Sequence, residues 1–201
     1  SDAADNVAEA TEETYDSIKA KIVDETQDPK VSVIDIDERM TAAGMIGSPV
    51  YNTEEERIAK VSDIILDRDG NAIMVILADG DFTGLGKHVA FEYDVITRRD
   101  TNGDLIAPLS EEDIDNAMAF SYDRSDYSDT VQVIPSNGFS VAELMDSNLT
   151  DPAGETLANV DNISFREGAA DQLILKFNDV LGFGGETVAM GYDDLNIART
   201  D

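Results

Sequence analysis

The 201-residue sequence has no cysteine, so it can form neither a disulfide nor a thiolate metal site. It has one histidine, His88. Serine-hydrolase chemistry needs such a base beside a nucleophile and oriented by a carboxylate. His88 stands at the start of an expected strand, with no serine motif near it. Basic residues are few: 14 Lys and Arg against 43 Asp and Glu leave a net charge of −29. Phosphate backbones and anionic lipid surfaces repel such a chain, so nucleic acid and membrane surfaces are poor partners. Cations and basic protein surfaces are better ones, and the acidity also favours solubility in high salt. No apolar run approaches the length of a membrane span, so no membrane insertion is expected. The chain opens Ser1-Asp2-Ala3-Ala4-Asp5 without a methionine. That start fits a bacterial chain whose signal peptide has been removed, and gives a periplasmic or extracellular location as the expectation.

What is present is a repeat. Residues make up a 42% hydrophobic composition, enough for a core, and the length allows one large domain or two small ones. The stretch Gly44 to Asp67, GMIGSPVYNTEEERIAKVSDIILD, comes back ninety-nine residues later as Glu143 to Arg166, ELMDSNLTDPAGETLANVDNISFR. Ile46 falls on Met145, Ser48 on Ser147, Val50 on Leu149, Val61 on Val160, Ile64 on Ile163 and Leu66 on Phe165. A long ungapped match of apolar positions marks one unit used twice. The closing runs also match, Val89 to Asp94 against Val188 to Asp193, and Glu12-Glu13 falls on Glu111-Glu112 upstream.

Residues 4–25 read as a helix, with Val7, Thr11, Ile18 and Ile22 along one stripe. Asp28-Pro29 ends it, and Lys30 to Asp37 reads as a strand. Within the repeat, Val50-Tyr51 is a short strand and Asn52 to Glu56 a polar loop. Ile58 to Leu66 and Ala72 to Ala78 are strands around an Asp-Gly hairpin turn. Gly84-Leu85-Gly86 leads to a last strand, Val89 to Tyr93. Ser110 with Asp113 forms a capping-box pattern, so a helix is expected from Glu111 to Phe120. Many short strands with glycine turns suggest a small closed or nearly closed barrel. The resulting division is a helical segment over 1–29, a barrel over 30–99, a connector with a helix over 100–128 and a second barrel over 129–201.

The first copy resembles the PRC-barrel family. The resemblance lies in Met45-Ile46-Gly47, Val61, Asp63-Ile64, Asp67, Asp69-Gly70 and Gly84-Leu85-Gly86, followed by a closing apolar strand. The second copy departs at Asp146, at Asn162 and at Glu167-Gly168-Ala169, so it is identified through the repeat. The resemblance implies a small β-barrel used as a protein-interaction module, with no shared catalytic residues. The expected fold class is therefore mainly β, as two tandem PRC-like barrels each preceded by a short helix.

Candidate sites are few. The glycine turns at Gly84-Leu85-Gly86 and Gly182 to Gly185 lead into strands, whereas a phosphate loop opens a helix. Asp100, Asn102, Asp104 and Glu111 stand at positions one, three, five and twelve of an EF-type calcium loop, although Leu105 occupies the glycine position. Asn148-Leu149-Thr150 and Asn162-Ile163-Ser164 match the glycosylation pattern. In the second copy Leu173, Leu175 and Phe177 alternate with Gln172, Ile174 and Lys176. A uniform spacing of ninety-nine sets these against Met74, Ile76 and Ala78, and against Ile73, Val75 and Leu77. On that spacing Ile73, Val75 and Leu77 form an apolar outer face, which something must cover. The candidates are the helix at 4–25, through Ile18 and Ile22, the other barrel, or another protein chain. Together with what the resemblance implies and the expected location, this face gives the expectation of a non-enzymatic, extracytoplasmic interaction or assembly protein that takes a protein partner or a second copy of itself, with no cofactor. The alternative is an acidic calcium-binding protein.

Overall fold

A computed structural model describes residues 6–9, 40–79, 86–98, 104–145, 147–150, 153–177, 187–194 and 196–199. In chain order the first half gives β1 (Asn6–Glu9), α1 (Ala42–Met45), β2 (Pro49–Tyr51), β3 (Arg57–Leu66), β4 (Ala72–Asp79), β5 (His88–Glu92) and β6 (Thr97–Arg98). The second half gives β7 (Leu105–Ile106), α2 (Glu111–Asn116), β8 (Ala119–Ser121), β9 (Val131–Val133), β10 (Phe139–Ser140), α3 (Val141–Met145), β11 (Asn148–Thr150), β12 (Thr156–Arg166), β13 (Ala169–Phe177), β14 (Thr187–Gly191) and β15 (Asn196–Arg199). A 3-10 turn precedes β6 at Tyr93–Val95, and another precedes β15 at Tyr192–Asp194.

These elements fall into two compact units. The central unit is Ala43–Val141; the composite unit joins Ser1–Ala42 to Ala142–Asp201. The central sheet runs β6-β7-β2-β3-β4-β5-β8-β9, with β10 also paired to β3. The composite sheet runs β14-β13-β12-β11-β1-β15. The fold is thus mainly β, but among the described residues neither sheet closes on itself.

The repeat is legible in the pairing. Val50 opposes Ala59 in the central unit, and Leu149 opposes Ala158 in the composite one. Both long strands carry a bulge at one place, between Val61 and Asp63 and between Val160 and Asn162. A bulge leaves one residue unpaired and re-aims its neighbours. Here it puts Val61 and Ile64 on one face. Cross-strand partners Val61, Leu77 and Val89, with Ile64 and Val75, fill the central inner face, and all five are fully buried. Their counterparts Val160, Leu175, Ile163 and Leu173 are buried in the composite unit, while Val188, the counterpart of Val89, is half-buried.

The two hairpins differ by one residue. In the central unit Leu66 opposes Ala72, and the turn between is held by Asp67, whose Oδ1 accepts from the backbone N–H of Asp69 and of Asn71, each at 2.9 Å. In the composite unit Phe165 opposes Ala170 and Arg166 opposes Ala169. Only Glu167 and Gly168 remain as a two-residue turn, with φ of 51° and 79°, the left-handed pair that a type I′ hairpin requires. The lost residue shifts β13 by one place relative to β4. Leu77 and Leu175 are equivalent, not Leu77 and Lys176. The shift is undone before the next strand, where Val89 and Val188 oppose Leu77 and Leu175.

Several expectations are corrected here. The second unit does not begin at residue 129: β8, β9 and β10 pair into the central sheet, and the boundary falls after Val141. The capping box at Ser110 forms, with Asp113 N–H donating to Ser110 Oγ at 3.1 Å and Ser110 N–H to Asp113 Oδ2 at 2.7 Å. The helix stops at Asn116 rather than Phe120, because Ala119–Ser121 becomes a strand that places Phe120 in the core. The start of the expected helix at 4–25 is a strand instead, since Asn6–Glu9 pairs with both β11 and β15; ladder pairing overrides a local helical pattern. The remainder of that helix and the strand at 30–37 lie outside the described residues.

Candidate functional site

The shift of one residue in β13 decides which sheet face is apolar. A slip of one place moves every side chain of a strand to the other side. With the observed pairing, Val75 and Leu77 point into the central core and are fully buried. Their assignment to an outer contact face is therefore corrected: their counterparts are Leu173 and Leu175, equally buried, and no area of either is left for a second chain. The outer face consists of Ile65, Met74, Ile76 and Ala90, and Ile73 packs beside it because the irregularity at Leu66 leaves Ile73 without a cross-strand partner. In the composite unit the same positions are Ser164, Gln172, Ile174 and Ala189.

The cover of that central face is internal. Phe120 and Ile134 close over Ile65 and Ile76 as one buried cluster. Gly138 presses so near that a Cβ there would lie 2.9 Å from Ile65 Cγ2, so only glycine fits. The covering segment, residues 119–140, is braced by polar contacts. Ser121 Oγ donates to Asp126 Oδ2 at 2.6 Å, and Arg124 Nη2 donates to the carbonyls of Pro135 and Ser136 at 3.4 and 3.2 Å. The rings of Phe120 and Tyr122 meet edge to face, 5.0 Å apart. Ile18 and Ile22, the expected cover, lie outside the described residues.

At the centre of this contact is Asp63, fully buried beside the bulge of β3. Its Oδ1 accepts from the backbone N–H of Ile64 at 2.7 Å. Its Oδ2 accepts from the Tyr122 hydroxyl at 2.6 Å and from the Ser140 hydroxyl. Burying a carboxylate is costly unless donors replace its water. Here two of the donors belong to the covering segment, so the carboxylate ties that segment down. In the composite unit the equivalent residue is Asn162, which keeps the local bond, accepting from Ile163 N–H at 2.9 Å. An acid inside the apolar run of β3 is the signal that could have marked Asp63; its partners, far along the chain, carry no such mark.

The other candidates are spread out. Asp100 and Asn102 lie outside the described residues, Asp104 is half-buried before β7, and Glu111 is exposed in the first turn of α2. Among the described residues no three His, Asp or Glu side chains gather as a metal group. His88 is half-buried on β5 opposite Ala78. Gly86 leads into β5, with no helix to open, and Lys87 reaches back to the end of α2, where Nζ donates to the carbonyl of Asp115 at 2.9 Å and to that of Ala117. A cation there suits the carbonyl end of a helix. Glu54 to Glu56 form an exposed loop around Asn52, whose Oδ1 accepts from the N–H of Glu54 and of Glu56 at 2.9 Å. Two exposed acids have lowered pKa values: Asp113 through the backbone and then the side-chain hydrogen bond of Ser110, and Asp123 through the side chain and then the backbone of Ser125.

In comparison with known proteins, the PRC-barrel domain family model matches residues 37–112, which carry α1 through β7 and the start of α2. No curated protein matches the chain.

Proposed function

We propose that this chain is a non-enzymatic protein-interaction and assembly module built from two PRC-like barrels, the second being the composite unit. The observation that carries the reading is the PRC-barrel domain match over residues 37–112, a family whose implied role is protein contact. Support for a second barrel comes from the shared pairing: β11 to β15 repeat the partners of β2 to β6, including the bulge in the long strand. The buried side chains of both inner faces are apolar packing residues, and the buried carboxylate Asp63 is taken up by tying the cover down. Sedimentation velocity over a concentration series in molar salt tests the assembly role, because salt screens the repulsion between chains of net charge −29. The expected result is a mass rising above the 21.8 kDa of one chain. A constant 21.8 kDa at every concentration and salt counts against it.

A further inference from the structure

The two units have the same slot for a strand, filled from different places in the chain. In the central unit β7 lies between β6 and β2, antiparallel to the first and parallel to the second. In the composite unit β1 lies between β15 and β11 in the same senses. The register agrees as well: Leu105 opposes Val50 and Arg98, while Ala8 opposes Leu149 and Ile197, one repeat further on. A second attachment is also shared. Ser140 pairs with Ile65, and Thr41 bridges Ser164. The segment that leads each copy therefore completes a sheet formed by the barrel strands of the other copy.

The difference is delivery. The slot in the central unit is filled by a hairpin, with Ile106 only nine residues from Thr97. The slot in the composite unit is filled by residues at the opposite end of the chain from β15. Closure entropy grows with the length of chain to be closed, so such a donor reaches its slot at a lower local concentration than a hairpin strand does. Without β1 the composite sheet splits, because among the described residues β1 alone joins β11 to β15. That leaves two unpaired edges, and unpaired edge groups recruit strands.

We propose that the leading segment carrying β1 is an exchangeable donor, which fills the slot between β11 and β15 of its own chain in the monomer and of a second copy in the assembled form. A second copy is the fitting occupant because it brings the same residues, Asn6–Glu9, in the same register. Each chain then offers one donor and one slot, so head-to-tail growth follows, opposed by charge at low salt. The proposal rests on the assembly reading above and names its partner.

The test uses full-length chains and the natural lack of cysteine. Val7 and Ala198 are cross-strand Cα partners, a separation that suits a disulfide. Single variants Val7→Cys and Ala198→Cys are mixed, unfolded in urea, refolded together at high concentration in molar salt and oxidised. Exchange predicts a 7–198 cross-linked heterodimer, identified by peptide mass spectrometry, in excess over 7–7 and 198–198 products. In the double variant, oxidation while dilute locks the donor in its own chain, and the oligomer is expected to be lost. If both single variants fold by circular dichroism and no 7–198 product forms, the proposal is overturned. If the locked double variant still assembles, donor exchange is overturned while the assembly reading stands. If no variant and no wild-type chain assembles, both fall.

Discussion

The central and composite units keep one pairing scheme and differ on one face. Their inner faces are interchangeable in character: Val61, Leu77 and Ile64 on one side, Val160, Leu175 and Ile163 on the other, all buried. Their outer faces are not. Met74, Ile76 and Ala78 in the central unit stand where the composite unit has Gln172, Ile174 and Lys176. Asp63 stands where the composite unit has Asn162. The apolar versions occur where Phe120 and Ile134 lie over the sheet, and the buried acid occurs where Tyr122 and Ser140 supply donors. A repeat preserves the face that every copy must bury and lets the other face follow whatever packs on it.

The sharpest way to break this contrast is a charge beneath the central cover. Ile76→Asp places an unpaired carboxylate in the cluster of Ile65, Phe120 and Ile134. It is expected to cost about 4 kcal/mol or more in urea unfolding. Exchanging the acid for the residue of the other copy is milder. Asp63→Asn keeps an oxygen for Ile64 N–H but sets an amide donor against the hydroxyls of Tyr122 and Ser140. A loss of about 2–3 kcal/mol follows, in the range of a charge-assisted hydrogen bond. Tyr122→Phe removes one of the same bonds, so in the double variant the two losses should not add. The smallest effect sharpens the comparison. Met74→Gln, which writes the composite residue into the central unit, should cost about 1–2 kcal/mol by uncovering apolar area against the cluster. The reverse change, Gln172→Met, should stay within about 0.5 kcal/mol. Equal effects at the two sites would remove the distinction between the faces.

Much of this was legible in the residues. The ninety-nine spacing gave the unit, the Asp-Gly turn gave the hairpin, and Ser110 with Asp113 gave the helix start. Three things were not. The deletion in the second hairpin is hidden because β13 has apolar residues at both parities near Ile174, so an ungapped match through it looks equally good. That one residue inverted the reading of Val75 and Leu77. The destination of each leading segment was also hidden: Val131 to Ile134 look like the start of a second barrel, and only the need to cover Ile65 and Ile76 sends them to the first. Asp63 was visible as part of a family pattern, but Tyr122 and Ser140 lie far along the chain, and no local spacing links them to it.

The relation between the units rests on the one-residue shift, and cross-strand backbone contacts measure it directly. Nuclear Overhauser effects between β12 and β13 in isotopically labelled protein should place Val160 opposite Leu175 and Ile163 opposite Leu173. Contacts that instead place Val160 opposite Lys176 and Ile163 opposite Ile174 would restore the uniform spacing, return Val75 and Leu77 to the face equivalent to Ile174 and Lys176, and contradict the account.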